Sequence, residues 1–341
     1  MAWLSGSQRK KAKAQNKAAL SDGLIQIAVG THALFQDDVQ FQNLGLVIVD
    51  EQHRFGVAQR LALKNKGADV HQLMMSATPI PRTLAMSFFA DLDVSVIDEL
   101  PPGRTPIKTR LVNSVRRSEV EGLVLGACRK GQQAYWVCPL IEESETLQLQ
   151  TATETQAALQ AALPELSIGL VHGRMKAAEK AEVMAEFSAG RLNVLVATTV
   201  IEVGVDVPNA ALMVIEHAER MGLAQLHQLR GRVGRGAAAS ACVLLFAEPL
   251  GDIAKARLKV IYEHTDGFEI ARQDLNIRGP GEFLGARQSG VPMLRFANLE
   301  EDLPLLEAAR NIAPQLIDER PDIVEAHLAR WLASRESYLG V

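Results

Sequence analysis

The sequence contains 341 residues, of which 48% are hydrophobic and 22% are charged, which is typical of a soluble protein with two or three globular domains. Its formal net charge of -4 excludes a uniformly basic surface, so any contact with nucleic acid must be local. The few cysteines are too scattered for a disulfide framework or a zinc site. Because the chain also lacks a secretory signal and the run of about 18 apolar residues that a membrane span needs, we expect a cytoplasmic protein without a membrane partner.

Short apolar runs alternate with helical patterns as far as Pro249, and this alternation predicts parallel sheets covered by helices. The runs lie at 24–29, 46–49, 72–75, 134–137, 168–171, 194–197 and 212–215. A Pro- and Gly-rich stretch at 100–106 indicates an extended connection between two domains. Helical patterns then follow at 252–263, 303–316 and 323–334, around a Gly-rich segment at 278–290. We therefore predict α/β domains at 1–103 and 104–249 and a helical region at 250–341.

Two adjacent carboxylates, Asp50 and Glu51, follow the predicted strand at 46–49. Open α/β sheets place their ligand sites at the carboxyl ends of strands, and such a pair suits a magnesium nucleotide. Asp50 would hold the metal, usually through water, and Glu51 would orient and deprotonate an attacking water. Ser76 and Thr78, after the next strand, would bridge this site to neighbouring loops by hydrogen bonds. A solvated acidic turn is the alternative, and the pair alone does not decide between the two interpretations.

The order of several motifs resembles that of superfamily 2 helicases. The residues from Asp50 to His53 are similar to motif II, those at 76–78 to motif III, those at 196–206 to motif V and those at 228–236 to motif VI. The resemblance implies two RecA-like parallel-sheet domains, with ATP and Mg²⁺ as cofactors. It also implies that His53 links the nucleotide site to DNA contacts and that Thr198 and Thr199 contact DNA.

Two arginines of motif VI are candidates for contact with the phosphates. Arg232 and Arg235 are three residues apart, a spacing that predicts both guanidinium groups on one side of a helical turn, within reach of the β and γ phosphates. We interpret them as arginine fingers, with an Arg-rich solvated loop as the alternative. Gln228 of the same motif joins the catalytic candidates. In motif V, Gly204 permits close backbone approach to the nucleotide, and Asp206 offers an acceptor for a ribose hydroxyl or for one of the arginines.

A nearer resemblance, to RecG-type DNA helicases, covers essentially the whole chain through strings at 30–36, 50–59, 79–86 and 98–106. The segment at 266–290 resembles the translocation motif that this family shares with the transcription-repair coupling factor. By that resemblance Arg257 and Gln288 belong to a hairpin that couples nucleotide-driven domain closure to movement on duplex DNA. Thr31 and His32, together with the basic residues of the first helix, would contact the DNA backbone, and a solvated helix face is the alternative for those basic residues.

The resemblance implies an ATP-dependent double-stranded DNA translocase that remodels stalled replication forks and branch-migrates Holliday junctions in recombination and repair. Its partner would be branched duplex DNA, and it would act as a monomer. The motor of the transcription-repair coupling factor is an alternative, although Gln52 and the residues at 279–282 favour the RecG type. A third interpretation belongs to another class, a catalytically silent DNA-binding fragment.

The sequence departs from the family at the phosphate-binding loop, because no GxxxxGK[ST] string occurs in it. The family places this loop upstream of the acidic pair. We therefore expect the first RecA-like domain to be truncated at its N-terminus and the isolated chain to be inactive. Truncation would leave an apolar sheet edge and face uncovered, so residues 1–100 are expected to be poorly stable alone.

Overall fold

The structure is a computed structural model that describes most of the chain. It covers residues 1–6, 8–51, 62–63, 65–67, 69–76, 95–97, 105–138, 145–198, 207–236, 238–278 and 303–332, together with Phe55, Gln59, Asp93 and Glu99. The chain divides into two compact units, Met1–Ala77 with Ala308–Val341, and Thr78–Glu307. Over the described residues, none of the helices combines the length and the apolar character that a membrane crossing requires.

The first unit contains two pairs of short parallel strands. β1 (Ala2–Leu4) pairs with β2 (Ala28–Gly30), and the helix α1 (Lys10–Ser21) lies between them in the chain. β3 (Leu46–Val49) pairs with β4 (His71–Met74). The apolar runs at 46–49 and 72–75 therefore form strands within one residue of the predicted limits, whereas most of the run at 24–29 precedes β2.

Side chains on the two faces of these strands have different surroundings. Leu4 is buried in one small core, and Val47 and Val49 are buried in another. The alternate side chains Leu46 and Ile48 are 55% and 58% exposed. Because successive side chains of a strand point to opposite faces, the described part of this unit presents an apolar sheet face to solvent. This face is consistent with the low stability expected for residues 1–100, which stays a prediction.

The second unit is built on one six-stranded parallel sheet. Its strands are β5 (Lys108–Asn113), β6 (Gln133–Val137), β7 (Ile168–Val171), β8 (Val194–Ala197), β9 (Ala210–Ile215) and β10 (Ala241–Phe246). The helices between them are α2 (Arg117–Arg129), α3 (Glu145–Ala162), α4 (Ala177–Ser188) and α5 (Leu223–Arg230). The strand order is β5-β10-β9-β6-β8-β7. The sequence predicted β6 to β9 and missed β5 and β10, which pair with each other at one edge of the sheet.

Helices cover both faces of this sheet, which explains why its central strands are continuous apolar runs. Along β6, Tyr135 and Val137 belong to one core, which also contains buried residues of α4 and α5. Ala134 and Trp136 belong to the other core, with buried residues of α2 and α3. The predicted α/β class with parallel sheets is confirmed.

The predicted helical region after Pro249 is present. α6 (Asp252–Glu263) and α7 (Gly267–Arg278) pack on the second unit, where Ile261 and Ile270 are buried in its core. α8 (Leu303–Glu319) and α9 (Pro321–Leu332) complete the described chain. The domain limits predicted at 103 and 249 stay a prediction, and the segment at 279–290 lies outside the described residues.

Candidate functional site

The acidic pair lies directly after β3, at the carboxyl end of the strand. The backbone N–H of Glu51 donates to Asp50 Oδ1 at 2.8 Å, and Glu51 has a φ of 51° in the left-handed region. A non-glycine residue adopts such a conformation at a cost of about 1 to 3 kcal/mol, and these positions concentrate at functional sites. The chain therefore turns sharply at this point, with Asp50 exposed and Glu51 half-buried.

Ser76 comes to the same end of this two-stranded sheet. β3 and β4 run parallel with Val49 opposite Met74, and the N–H of Met75 donates to the Val49 carbonyl at 2.8 Å. Ser76 is the next residue and is half-buried. This position is compatible with its predicted bridging role, which stays a prediction. Thr78, which has the same predicted bridging role, and His53, which is predicted to link the site to DNA contacts, lie outside the described residues.

Thr31 and His32 follow β2, where the chain enters one turn of 3-10 helix, and both side chains are exposed. The His32 ring lies 4.9 Å from that of Phe55 and 6.0 Å from that of Phe35, and the two phenyl rings are 5.0 Å apart. These centroid distances are typical of aromatic rings in contact. The segment predicted to contact DNA is thereby joined to the one that follows the acidic pair. Phe35 and Phe55 lie in the strings at 30–36 and 50–59 and were not among the predicted site residues.

Thr198 follows β8 in the second unit and is only 4% exposed. Its backbone N–H donates to the carbonyl of Val171 at 3.2 Å. This burial does not favour a direct DNA contact by the Thr198 side chain, so that role stays a prediction. Thr199, Gly204 and Asp206, the other candidates from motif V, lie outside the described residues.

The two predicted arginine fingers lie in the turn after α5. The helix ends before Arg232, whose N–H donates to the carbonyl of Leu229 at 3.0 Å. Gly234, with a φ of 78°, then turns the chain before Arg235. The two arginines therefore do not share a helical turn, because the helix ends at Arg230 and a glycine in the left-handed region lies between them. The placement of both guanidinium groups on one side stays a prediction. Arg232 is half-buried and Arg235 is exposed, while Gln228 is half-buried in the last turn of α5.

The last residue of α5, Arg230, is 3% exposed and was not among the predicted site residues. Its Nη1 donates to the carbonyls of Ile261 and His264, both at 2.8 Å, and its Nη2 lies 2.9 Å from His227 Nδ1. Burial, and then the charge of Arg230, lowers the pKa of His227 to about 4. The imidazole is therefore neutral at pH 7 and accepts from the guanidinium.

Arg257 of α6, assigned to the coupling hairpin by resemblance, contacts the segment that leads into α5. Its Nη1 donates to the carbonyl of Met221 at 2.9 Å, and its Nη2 donates to the carbonyl of Glu219 at 3.2 Å. These bonds fix α6 to the start of α5 and are compatible with a coupling role. Gln288, the second residue of that prediction, lies outside the described residues.

A buried ionic cluster at the carboxyl ends of β6 and β9 was missed by the sequence analysis. Glu216 is 6% exposed, and its Oε1 accepts from Trp136 Nε1 at 2.9 Å and from Arg117 Nη1 at 2.6 Å. The Arg117 guanidinium carbon also lies 5.1 Å from the centroid of the Trp136 ring. Burial, and then the Glu216 carboxylate, raises the pKa of the Cys138 thiol to about 12. The cluster therefore fixes the ends of two central strands.

The donors near β3 fit a magnesium ion. Mg²⁺ usually keeps several waters and takes one or two protein carboxylates together with phosphate oxygens, so it needs no cage of protein ligands. Asp50, exposed at the strand end, is a ligand of this kind. Within the part of the chain that the structure describes, three or more His, Cys, Asp or Glu side chains do not converge on a common metal position.

Three family models match the chain one after another. Residues 2–87 match the model described as DEAD/DEAH box helicase, and residues 117–237 match the helicase conserved C-terminal domain. Residues 264–332 match the model described as ATP-dependent DNA helicase RecG, domain 3, C-terminal. The acidic pair lies in the first match and the two arginine-finger candidates lie in the second, so each predicted RecA-like domain corresponds to a helicase model.

Curated relatives match almost the whole chain. The ATP-dependent DNA helicases RecG of Acidithiobacillus ferridurans and of Escherichia coli (strain K12) are each 56% identical to it over 98% of the chain and 49% of their own length. A solved structure of RecG bound to a three-way DNA junction is 49% identical, with a TM-score of 0.66, over 90% of this chain and 39% of that one. The chain thus spans about half the length of the curated relatives it matches.

Proposed function

Since the chain belongs to the RecG family of superfamily 2 helicases, whose C-terminal portion it matches, we propose that it is part of an ATP-dependent motor that moves on double-stranded DNA. The observation that carries the proposal is the RecG-specific match at 264–332, next to a general helicase match at 117–237. The transcription-repair coupling factor is not favoured, because the relatives that match 98% of the chain are RecG helicases. The proposed task is to remodel stalled forks and branch-migrate Holliday junctions in recombination and repair.

In the proposed mechanism, two carboxylates and two arginines act at the phosphates of ATP. Asp50 would hold Mg²⁺, and the charge of the bound ion would offset that of the phosphates. Glu51, half-buried beside it, orients the attacking water and accepts its proton. Arg232 and Arg235 offset the charge that develops on the transferred phosphate, a contribution of about 10³ to 10⁵ in rate for such arginines. Gln228, one turn before them, is proposed to complete the catalytic set.

The proposed DNA contacts in the first unit come from the turn after β2 and from the beginning of α1. Thr31 and His32 are exposed after β2, and Arg9, Lys10 and Lys11 are exposed at or before the first turn of the helix. Hydroxyl, imidazole and cationic donors bind phosphate and sugar without reading base sequence, which suits a motor that moves along any duplex. In the second unit, the remaining proposed DNA and nucleotide contacts are Thr198, Thr199, Gly204 and Asp206.

Branched duplex DNA is the proposed partner, because the RecG structure similar to this chain is bound to a three-way DNA junction. Coupling of hydrolysis to movement is assigned to His53, Ser76 and Thr78, near the acidic pair in the sequence. It is also assigned to Arg257 and Gln288, which follow the six-stranded sheet in the chain. Arg257 supports this assignment through its two bonds to the segment before α5. We further propose that the motor works in the cytoplasm as a monomer.

A second candidate concerns the 341-residue chain on its own, as a catalytically silent DNA-binding fragment. The observation in its favour is that no GxxxxGK[ST] string occurs in the sequence, so the triphosphate lacks its usual backbone cradle. Under this proposal the chain binds DNA through the same donors but does not turn ATP over. Clear DNA-stimulated hydrolysis by the isolated chain, abolished by Glu51→Gln, would exclude it.

A hybrid protein tests the motor proposal. In this hybrid, the chain replaces the matching 49% of the E. coli (strain K12) relative. We expect ATP hydrolysis that depends on duplex DNA. Arg232→Ala should lower turnover by about 10³-fold or more and leave DNA binding intact, because the lost guanidinium acts on the phosphate. Arg191→Ala removes an exposed arginine paired with Glu186 and is the matched control. A hybrid that does not respond to DNA, or an Arg232→Ala variant with full turnover, contradicts the proposal.

A further inference from the structure

The side chain of Arg230 joins two segments that have different tasks in the proposed function. Arg230 lies within the stretch at 117–237 that matches helicases in general. The carbonyls that it contacts belong to Ile261, His264 and Thr265, at the beginning of the RecG-specific match at 264–332 or just before it. One buried arginine therefore connects the general motor with the family-specific region.

The arginine caps the carboxyl end of α6. The last carbonyls of a helix lack partners within the helix, and a guanidinium donates to several of them at once through its planar fork. Arg230 Nη1 donates at 2.8 Å to the carbonyls of Ile261 and His264 and at 3.3 Å to Thr109 Oγ1, while Nη2 donates to the Thr265 carbonyl at 3.4 Å. A lysine ammonium at the same position has no such fork and cannot satisfy all of these acceptors.

His227 fixes the orientation of this guanidinium. Its Nδ1 lies 2.9 Å from Arg230 Nη2, one helical turn earlier in α5. An acceptor role for Nδ1 requires a neutral ring with its proton on Nε2. Asp266 faces the same ring and favours its protonation, but burial and the charge of Arg230 outweigh it. The Arg230 side chain is thus held by contacts with its own helix, α5, and with the end of α6.

The arginine-finger turn begins at the residue after Arg230. The N–H of Gly231 donates to the His227 carbonyl, and the N–H of Arg232 donates to the Leu229 carbonyl, each at 3.0 Å. The backbone between Arg230 and Arg232 is therefore held by hydrogen bonds at each step. A displacement of the backbone at Arg232 is therefore passed to Arg230, and through its side chain to the carbonyls at the end of α6.

We propose that Arg230, oriented by His227, is a positioning residue that ties the arginine-finger turn to the junction of α6 and α7, so that movement of one is passed to the other. The role in coupling rests on the proposed function. The tie itself rests on the five polar contacts of the Arg230 side chain. Arg257 makes a separate link, from α6 to the segment before α5. Together they fasten α6 to both ends of α5.

Hydrogen exchange on the 341-residue chain tests whether Arg230 ties the arginine-finger turn to the junction of α6 and α7. In Arg230→Ala, amides at 231–236 and 262–266 should exchange about tenfold faster or more, because both segments lose their shared anchor. Amides of β6, β8 and β9 should keep their rates. Arg230→Lys should give an intermediate rise, and the control Arg191→Ala should give none. Unchanged exchange in the two segments would overturn the inference, because the side chain would then not hold them locally. An equal rise in all strands would also overturn it, because the side chain would then contribute only to overall stability.

The hybrid protein tests whether this tie couples ATP hydrolysis to movement on DNA. Arg230→Lys should hydrolyse ATP nearly as fast as the parent hybrid but move fewer base pairs per ATP, by about fivefold or more, which is the lower range of coupling between sites. Equal losses of hydrolysis and movement, or no loss of either, would count against a positioning role. Failure of the parent hybrid to hydrolyse ATP would instead refute the proposed function, and the exchange measurement would still decide the place of Arg230. If Arg230→Ala does not fold, Arg230→Lys and His227→Gln carry both measurements.

Discussion

Glu216→Ala should destabilise the six-stranded sheet of the second unit. The substitution removes the carboxylate that accepts from Trp136 Nε1 at 2.9 Å and from Arg117 Nη1 at 2.6 Å. The Trp136 side chain is fully buried, so its indole N–H is shielded from solvent. Leaving a buried donor without an acceptor costs the full desolvation free energy of that group, and leaving a cation unpaired costs more.

The expected magnitude follows from the surroundings of Arg117. Removing one partner of a buried ion pair costs about 3 to 5 kcal/mol. The Arg117 side chain is 34% exposed and keeps Glu121 at 3.1 Å, so we take the lower end, about 3 kcal/mol. Glu216→Gln keeps an acceptor oxygen for one donor and should cost about 1 to 2 kcal/mol. Adding Arg117→Ala to Glu216→Ala removes the unpaired cation, so the two losses should not add.

Urea unfolding of the whole chain measures these differences. Trp136 fluorescence reports on the second unit once Trp3 and Trp331 are replaced by Phe. The control is Glu186→Ala, which breaks an exposed pair and should cost less than about 1 kcal/mol. A loss for Glu216→Ala no larger than that of the control would refute the reasoning. Strictly additive losses in the double variant would refute it as well, since residues in contact must couple.

Three further predictions concern pH, thiol chemistry and self-association. Because the folded pKa of His227 is about 4 and its ordinary value is 6.5, stability should be complete above pH 6.5 and fall as the pH drops toward 4, by at most about 2 kcal/mol between pH 7 and pH 5; His227→Gln should remove that part of the slope in urea midpoints. Burial raises the pKa of the Cys128 thiol to about 11 and that of Cys242 to about 12, so a thiol reagent should modify neither until urea is added. Leu46→Thr with Ile48→Thr should lower light scattering by the isolated chain, because it removes two exposed apolar side chains from one sheet face; unchanged scattering would show that this face does not drive association.

Strand prediction from the sequence succeeded for four of the six strands of the large sheet. β6 to β9 are continuous apolar runs, and such runs are expected for a parallel sheet between helix layers. β5 reads Lys-Thr-Arg-Leu-Val-Asn and lies at the edge of the sheet with Lys108 and Arg110 exposed, so no continuous apolar run marks it. β10 has an apolar run as clear as the others, but periodicity alone does not distinguish a short buried strand from a helix.

The sequence motifs predicted the candidate site, but they did not predict the side chains that support it. Asp50 and Glu51 were predicted as candidates because they follow a strand end, whereas the turn at Glu51 depends on a left-handed φ that no sequence pattern reports. Arg230 and Glu216 were missed because their partners come from distant segments. Arg230 contacts carbonyls more than 30 residues away, and Glu216 contacts side chains about 80 to 100 residues earlier. Only the packing of α6 on the sheet and of β9 beside β6 brings these groups together.

Remodelling of a three-way DNA junction by the hybrid protein tests the central claim most directly. The parent hybrid should regress the junction when ATP is added, and the Glu51→Gln hybrid should bind the same junction equally well without regressing it. This difference is expected because the substitution removes the proposed base at the γ phosphate and leaves the proposed DNA donors near Thr31 and His32 in place. Regression by both proteins, or by neither while the junction stays bound, would contradict the assignment of this chain to an ATP-driven motor on branched DNA.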